Sequence, residues 1–440
     1  MTAEAVEEAD AGEGRLPLHR RLLADTRPLR ESREYRGLWA GQSLSAIGTQ
    51  MTAVAVPVQV YDLTHSSLAV GGIGLAVAVP LITLGLLGGS LADAVDRRRL
   101  VLATSSALAV LSLVLAGQAL LDLRQVWLLY AVTAVQASLF AVDQPARATF
   151  IPRLLPAERI PAATALSQLS MQSSLTAGPL LAGAVIATGG LSSAYVVDAV
   201  SFLAAVAGVL RLHAMPPEGG GSRPGLRAVA EGLRWVRHQP VVAMTFLVDI
   251  DAMVFGMPRA LFPALAATHF GGGSQTVGLL YAAPAIGGLL GAAFSGPLTH
   301  VRRQGWAVLL SVGVWGAAIA GFGLTRLLWL GVLLLAVAGA ADMVSGVFRS
   351  TILQVAAPDE LRGRLNGVFF VVVAGGPRLG DLESGGVAAL TSPAVSGVSG
   401  GLACLVGVVL LGLAVPAFAR YDASQRGAAA AEGQTTPRRA

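Results

Sequence analysis

The stretch GGSLADAVDRRRL, residues 88–100, decides the fold because it joins two long apolar runs through a dense cluster of charge. It contains Asp93 and Asp96, and three consecutive arginines follow at 97–99. Apolar runs of about 18 residues or more predict membrane-spanning helices. Short arginine clusters between such helices are typical of cytoplasmic loops. The stretch therefore predicts two spanning helices joined by a cytoplasmic turn.

The composition extends this prediction to the whole chain. Of the 440 residues, 54% are hydrophobic and 13% are charged, whereas soluble domains carry about 25% charged residues. The chain has no lysine, and most of its 31 arginines lie toward the termini or in short clusters between apolar segments. This pattern indicates membrane topology rather than nucleic-acid binding. We predict a multi-pass membrane protein in contact with the lipid bilayer and with no nucleic-acid partner.

The sequence lacks the common signatures of metal and nucleotide sites. The single cysteine, Cys404, excludes disulfides and cysteine-based zinc sites within the chain. Neither the phosphate-binding pattern GxxxxGKS/T nor the zinc pattern HExxH occurs. We therefore expect no metal and no cofactor, and a proton gradient as the energy source of any transport.

Twelve apolar segments form two groups of six. They cover about residues 37–61, 68–91, 100–121, 126–148, 161–188 and 193–211, then 240–266, 276–298, 305–323, 327–348, 365–390 and 394–418. Alternate loops hold clusters of arginine, whereas the intervening loops hold only Arg124 and Arg326. Since cytoplasmic loops carry the excess of positive charge, we predict an all-α protein with twelve spans and both termini in the cytoplasm.

The chain is predicted to have five parts. Residues 1–34 and 420–440 are polar and are expected to be disordered cytoplasmic tails. Two six-helix bundles should cover 35–211 and 240–419. The linker, 212–239, places apolar residues at helical spacing opposite arginines, which predicts an amphipathic helix on the cytoplasmic membrane surface. A simple tether between the bundles is the alternative.

The two halves also repeat each other in sequence. Residues 147–159 match 349–361, residues 178–183 match 376–381, and residues 89–93 match 296–300, at offsets of 202, 198 and 207. Two related bundles of this kind are typical of transporters that move one half against the other.

The opening stretch resembles the signature of the major facilitator superfamily between its second and third helices. The matching residues are Gly89, Asp93, Asp96, Arg97 and Arg98. Asp96 replaces the more usual glycine, a variation associated with the drug- and siderophore-exporter branch. The resemblance implies a latch that holds the halves together on the cytoplasmic side while the cavity faces outward. Membrane topology alone is an alternative explanation for the arginines. In the second half His300 occupies the position of Asp93, so a carboxylate latch is expected in the first half.

A second motif favours export. SLTAGPLLAG, residues 174–183, resembles the fifth-helix motif of antiporters, with matches at Gly178, Pro179 and Gly183. An ordinary proline-kinked helix is the alternative. Three further segments resemble the enterobactin-exporter and macrolide-efflux subfamily. These segments are DQPARATFIP at 143–152, DIDAMVFGMPRALFPALA at 249–266 and GGPRLGDLESG at 375–385.

Ionisable residues inside the predicted spans are candidates for proton coupling and substrate binding, because charge at membrane depth is costly. Asp143 and Arg147 lie one helical turn apart and can pair, either for function or as a structural pair at the interface. Asp249 and Asp251 lie near the middle of the seventh span and point about 200° apart. Either aspartate could carry a proton, and purely structural pairing of both is the alternative.

Two arginines complete the candidate set. Arg259 lies eight residues beyond Asp251, about 12 Å along a helix, too far for a direct ion pair, and could extend toward the outer headgroups instead. Arg378 could bind an anionic substrate, pair with Asp251 across the cavity, or pair locally with Asp381.

These observations predict a proton-coupled exporter of drugs, macrolides, siderophores or a similar amphiphilic molecule. The arginine-, alanine- and glycine-rich composition suggests a bacterial cell membrane, and we expect a monomer with protons and a small molecule as partners. A proton-coupled importer is the alternative within the transporter class. A transport-dead sensor is disfavoured because the membrane charges remain, and a membrane enzyme because no convergent catalytic motif occurs.

Overall fold

The computed structural model describes residues 25–215, 226–357 and 362–422. Within these ranges the chain is all-helical, without a β-strand, as predicted. Most of the predicted tails, 1–34 and 420–440, and part of the linker lie outside the described residues.

The first half contains five long helices. They are α1 (Arg33–Thr64), α2 (Ser67–Ala94), α3 (Arg97–Leu120), α4 (Val126–Ala148) and α5 (Ile160–Leu210). Short helices at Arg27–Glu31 and Phe150–Leu154 precede α1 and follow α4.

The rest of the described chain contains seven longer helices. They are α6 (Leu226–Arg237), α7 (Pro240–Phe255), α8 (Ser274–Ala293), α9 (Gln304–Leu324), α10 (Leu328–Ala356), α11 (Arg362–Leu390) and α12 (Pro393–Ala414). Helix α6 falls in the predicted linker at the position of the predicted amphipathic helix. Short helices cover Phe262–Thr268 and Pro416–Ala419, and 3-10 turns cover Ala157–Arg159, Arg259–Leu261 and Gly296–His300.

The start of the chain differs from the sequence prediction. Residues 27–31 form a helix inside the segment expected to be a disordered tail, and α1 already begins at Arg33. This short helix is held against the first bundle, because the Arg159 guanidinium donates two hydrogen bonds of 2.8 Å to the Glu31 carboxylate.

Helix α5 bends back on itself at one residue. It is 51 residues long, about 77 Å at 1.5 Å per residue, more than twice the ~30 Å of a bilayer core. Gly190 interrupts it with φ 76° and ψ 176°, a conformation that glycine adopts without a Cβ clash. We call residues 160–189 and 191–210 the first and second arms of α5. The sequence predicted them as two separate spans.

The first half is built around α1, which lies between the two arms. Trp39 donates to the Leu166 carbonyl at 3.2 Å and Gln50 lies against Gly178, so α1 runs parallel to the first arm. Close approaches of Gly41 to Ala204 and of Gly48 to Asp198 show that it runs antiparallel to the second arm. In the other half α9 packs on α10 and α12, and α8 packs on α10 as α2 packs on α4.

Nine helices in the described ranges are long and apolar enough to cross a membrane, with α5 counted once. Helices α1 and α11, with 32 and 29 residues, reach a similar length but carry more polar residues and are not among the nine.

The bundles meet along two helix pairs, α2 with α11 and the first arm of α5 with α8. Glycines allow main chains to approach at both: Gly71 lies against the Asp381 carbonyl, Gly385 against the Ser67 carbonyl, and Gly278 against the Pro179 carbonyl. These contacts lie at the end of the molecule where α1 ends and α2 begins. We call this the closed end. A side chain at any of these glycines would overlap the opposite main chain.

Replacing Gly278 with valine is therefore expected to part the bundles at the closed end, because its Cβ would overlap the Pro179 carbonyl. Spin labels at Asp122 and Arg326, exposed loop residues in different bundles, would report a longer mean distance. Gly313→Val is the matched control, since no atom within 4 Å meets an added Cβ there. Equal distances in the wild type and Gly278→Val would contradict the expectation.

Candidate functional site

The predicted Asp143–Arg147 pair is present and joins α4 to α3. The Arg147 Nε donates to the Asp143 carboxylate, which also accepts a 2.5 Å hydrogen bond from the Thr104 hydroxyl. Arg147 Nη2 donates to Ser105 at 2.7 Å. Asp143 is 2% exposed, and one arginine and one hydroxyl compensate for the burial of its carboxylate.

Arg349, the repeat partner of Arg147, is paired differently. Its guanidinium binds Asp249, which comes from α7, and lies 3.5 Å from Asp342 on its own helix. Asp249 is 2% exposed. The sequence did not predict the Asp249–Arg349 pair, because sequence spacing does not show which face of α7 meets α10.

Asp251 faces another direction and has no arginine beside it in the described residues. Its carboxyl lies against α12, next to the Cys404 thiol and over Gly407, where a Cβ would overlap it. Its Oδ2 atom is buried without a hydrogen-bond partner. Pairing of Asp251 with Arg378 across the cavity, one of the sequence alternatives, is wrong, because Asp251 points to the outer helix α12. The two aspartates therefore differ in their partners: Asp249 forms an ion pair with an arginine, whereas Asp251 has no arginine beside it in the described residues.

Arg378 and Asp381 form a local pair on α11, with 3.7 Å between Nη1 and Oδ2. The Arg259 guanidinium also lies within electrostatic range of Asp381, and the Tyr281 hydroxyl donates to the Arg259 carbonyl at 3.2 Å. Arg259 is therefore part of this cluster, in place of the outward extension considered from the sequence. Asp381 is 6% exposed.

This arginine–aspartate cluster sits directly beneath the closed end. Gly71 and Gly74 of α2 approach the main-chain carbonyls of Asp381 and Arg378. The same turn of α11 therefore presents its side chains to the cluster and its carbonyls to the other bundle. A movement that separates α2 from α11 would therefore change the contacts of the segment that carries Arg378 and Asp381.

The described part of the opening motif binds within its own bundle. Asp96 caps α3 by accepting from the Arg99 N–H at 3.0 Å and also accepts from the Met215 N–H at 3.1 Å. Arg98 donates to the Leu210 carbonyl at 2.8 Å, and the buried Arg97 donates its N–H to the Met215 carbonyl at 3.2 Å. Helix α2 runs through Gly89 and Asp93, but their side chains lie outside the described residues.

The glycine–proline motif of the first arm contacts two partners. Gly178 lies against Ile47 and Gln50 of α1, and Gly183 lies against the Ser274 carbonyl of α8. The Pro179 carbonyl meets Gly278 of α8. The motif therefore packs one bundle internally and also forms part of the contact between bundles.

No group of three or more histidine, cysteine, aspartate or glutamate residues suited to a metal ion occurs in the described parts of the chain. The charged side chains inside the described helices form carboxylate–arginine pairs, and Asp251 is a buried carboxyl without such a partner. Groups of this kind can exchange protons and bind charged molecules.

Comparison with known proteins gives matches over most of the chain. The sequence profile of a family described as transmembrane secretion effector matches residues 24–433. The enterobactin exporter EntS of Shigella boydii serotype 18 is 29% identical over 88% of this chain and 93% of its own. EntS of Escherichia coli O157:H7 (strain EC4115 / EHEC) is 28% identical over 91% of this chain and 96% of its own.

Solved transporters share the fold. A bacterial homologue of the iron transporter ferroportin, in an inward-facing state, has a TM-score of 0.66 at 16% identity, covering 88% of this chain and 99% of its own. The nucleoside transporter NupG has a TM-score of 0.65 at 13% identity, covering 88% and 100%. At such identities the likeness concerns the fold alone.

Proposed function

We propose that this chain, which belongs to the transmembrane secretion effector family, exports a siderophore or a similar amphiphilic molecule in exchange for protons. It is a major facilitator superfamily transporter of the enterobactin-exporter subfamily. The observation that carries the proposal is the match to enterobactin exporters over almost the full length of both chains. The protein is a transporter and not an enzyme. Drugs and macrolides remain substrate classes to be tested beside siderophores.

The proposed topology has twelve spans. The nine apolar helices become twelve when the second arm of α5, α1 and α11 are counted as spans of their own. The arginine clusters support a cytoplasmic position for both termini, with the protein in a bacterial cell membrane. In this orientation the closed end faces outward.

Asp251 is the proposed proton carrier of the second bundle. An arginine holds the charge of Asp249, and likewise those of Asp143 and Asp381, whereas Asp251 has a thiol and a glycine as its neighbours. A buried carboxyl without a counter-charge gains most by binding a proton. Proton uptake from outside and release inside would supply the energy, without a cofactor.

Arg259 and Arg378 are the proposed substrate-binding cations. Both lie at the cluster beneath the closed end, where a molecule that has entered from the cytoplasm would be held before the bundles exchange conformation. An anionic, ring-bearing siderophore suits two guanidinium groups, since arginine combines charge with stacking. The functional unit is proposed to be a monomer.

The latch is a further proposal, for the cytoplasmic end. Asp93→Asn is expected to reduce transport by about tenfold, the effect of roughly 1.4 kcal/mol lost from one charge-assisted contact in the outward-facing state. Uptake of a pH-gradient-driven substrate into vesicles would measure it at equal protein content. Asp122→Asn, in an exposed loop at the other end, is the control. Full activity of Asp93→Asn would exclude the latch.

The proposed function is tested in a bacterium that makes enterobactin but lacks its exporter. Expression of this chain should restore secretion, and a protonophore should abolish it. Cell accumulation of a macrolide and a cationic dye, measured in parallel, would distinguish a narrow exporter from a multidrug one. Increased accumulation of any compound would indicate import and contradict the proposal.

A further inference from the structure

Asp198, on the second arm of α5, is the least exposed acidic residue in the described ranges, at 1%. It lies eight residues after the break at Gly190, about 12 Å along the arm at 1.5 Å per residue. This depth places it within the hydrocarbon layer of the proposed topology. Neither the sequence motifs nor the proposed mechanism uses it.

Within the described ranges, the surroundings of Asp198 are polar but contain no cation. Its Oδ2 accepts from the Thr52 hydroxyl of α1 at 2.8 Å and from the Ser112 hydroxyl of α3 at 2.7 Å. Its Oδ1 is buried without a partner and lies against Gly48 of α1. Gln136 of α4 donates to Ser112 at 3.4 Å. The titratable group that faces Asp198 is Tyr195 on its own helix, and no charged group from α1, α3 or α4 does so.

This arrangement differs from that of the paired aspartates. Asp143 and Asp249 each have an arginine that offsets the cost of burying a carboxylate. Two hydroxyls supply hydrogen bonds to Asp198 but no compensating charge. An ionisable group buried in this way avoids the cost by becoming neutral. Because Oδ2 already accepts from both hydroxyls, Oδ1 is the oxygen available to take the proton.

The position of Asp198 mirrors that of Asp251. Asp198 lies where the second arm meets α1 and α3, and Asp251 lies where α7 meets α12, whose Cys404 reaches the Val312 carbonyl of α9. The pairs Thr52 and Asp251, Ser112 and Val312, and Asp198 and Cys404 are 199, 200 and 206 residues apart, within the offsets that relate the two halves. In the first bundle the acid, Asp198, lies on the second arm and its partner, Thr52, on α1. In the second bundle the acid, Asp251, lies at the position equivalent to Thr52, and its partner, Cys404, at the position equivalent to Asp198.

A row of polar side chains leads from this position toward the closed end. The Tyr195 hydroxyl donates to Gln59 at 2.8 Å, Gln59 donates to Gln118 at 3.3 Å, and Gln118 donates to the Leu123 carbonyl at 2.8 Å. Leu123 belongs to the exposed loop between α3 and α4. The row begins at Tyr195, about one helical turn from Asp198, and ends at that exposed loop.

We infer that Asp198 is a second proton-binding site, a neutral carboxylic acid in the conformation described here, so that each bundle carries one proton site at the same three-helix junction. Binding adds one proton to Oδ1 of the carboxylate and breaks no other bond. The role of this proton in transport rests on the proposed function, whereas its presence does not.

Infrared spectroscopy of the full chain in lipid vesicles tests the inference. At neutral pH the wild type should show the carbonyl absorption of buried neutral carboxylic acid, and Asp198→Asn should lose the absorbance of one carboxyl. Asp143→Asn is the matched control, because Asp143 pairs with Arg147 and its replacement is expected to leave this band unchanged. Thr52→Val keeps the acid but removes one hydrogen-bond donor, so the band should move to higher frequency. This variant decides the question if Asp198→Asn does not fold.

An unchanged band in Asp198→Asn and Thr52→Val would overturn the inference. A separate measurement, proton release on addition of enterobactin to the detergent-solubilised wild type, addresses the proposed function. Absence of release would count against proton-coupled export of that substrate, and the infrared result would still decide whether Asp198 binds a proton.

Discussion

Asp251→Asn is expected to abolish proton-driven transport while substrate binding persists. Asparagine has the shape of neutral aspartic acid, so packing against Cys404 and Gly407 is retained, but the side chain can no longer exchange a proton. We expect transport driven by a pH gradient to fall by about 100-fold or more, the range for removal of a proton-transferring side chain.

Proteoliposomes with an imposed pH gradient would measure this effect, with substrate efflux and internal pH followed together. Binding of labelled enterobactin to the solubilised variant should stay within about twofold of the wild type, because Asp251 points to α12 and not to the Arg259–Arg378 cluster. Asp122→Asn serves as the control for loss of an acidic charge at an exposed site. Proton movement coupled normally in Asp251→Asn would rule out this carboxyl as the carrier.

Arg349→Ala should have the largest effect on stability. It would leave the carboxylate of Asp249, 2% exposed, without its counter-charge between α7 and α10. Removal of one partner from a buried ion pair costs about 3–5 kcal/mol. We therefore expect a clearly lower thermal unfolding temperature in detergent, monitored by the fluorescence of the intrinsic tryptophans.

The double variant Asp249→Asn/Arg349→Ala separates charge from packing. Neutralising the aspartate should recover much of the lost stability, because no buried charge is then left alone. Arg124→Ala, whose side chain is 78% exposed, is the matched control and should leave the unfolding temperature unchanged. A double variant no more stable than Arg349→Ala would show that the loss comes from packing and not from the unpaired carboxylate.

The sequence predicted local relationships well and distant ones poorly. The Asp143–Arg147 pair was predictable because both residues lie on one helix, four positions apart. The apolar runs predicted the positions of the helices, and the periodicity of the linker predicted α6. Each of these signals is contained in a short segment, where helical geometry alone fixes which side chains are neighbours.

Contacts between helices required the structure. Sequence spacing showed that Asp249 and Asp251 point in different directions, but not that one meets Arg349 and the other Cys404. The hydroxyl partners of Asp198 come from α1 and α3, and Thr and Ser in such helices carry no sequence signal of a nearby acid. Helix rotation and partner choice depend on packing over the whole bundle.

The glycine contacts of the closed end have a consequence for how such a protein can change over generations. Where a Cβ would meet an opposing main chain, every replacement is resisted, whatever the size or polarity of the new side chain. Residues that surround a bound molecule are under no such uniform restriction. New export specificities should therefore arise from substitutions in the cavity, while the residues that let the two halves close are inherited unchanged.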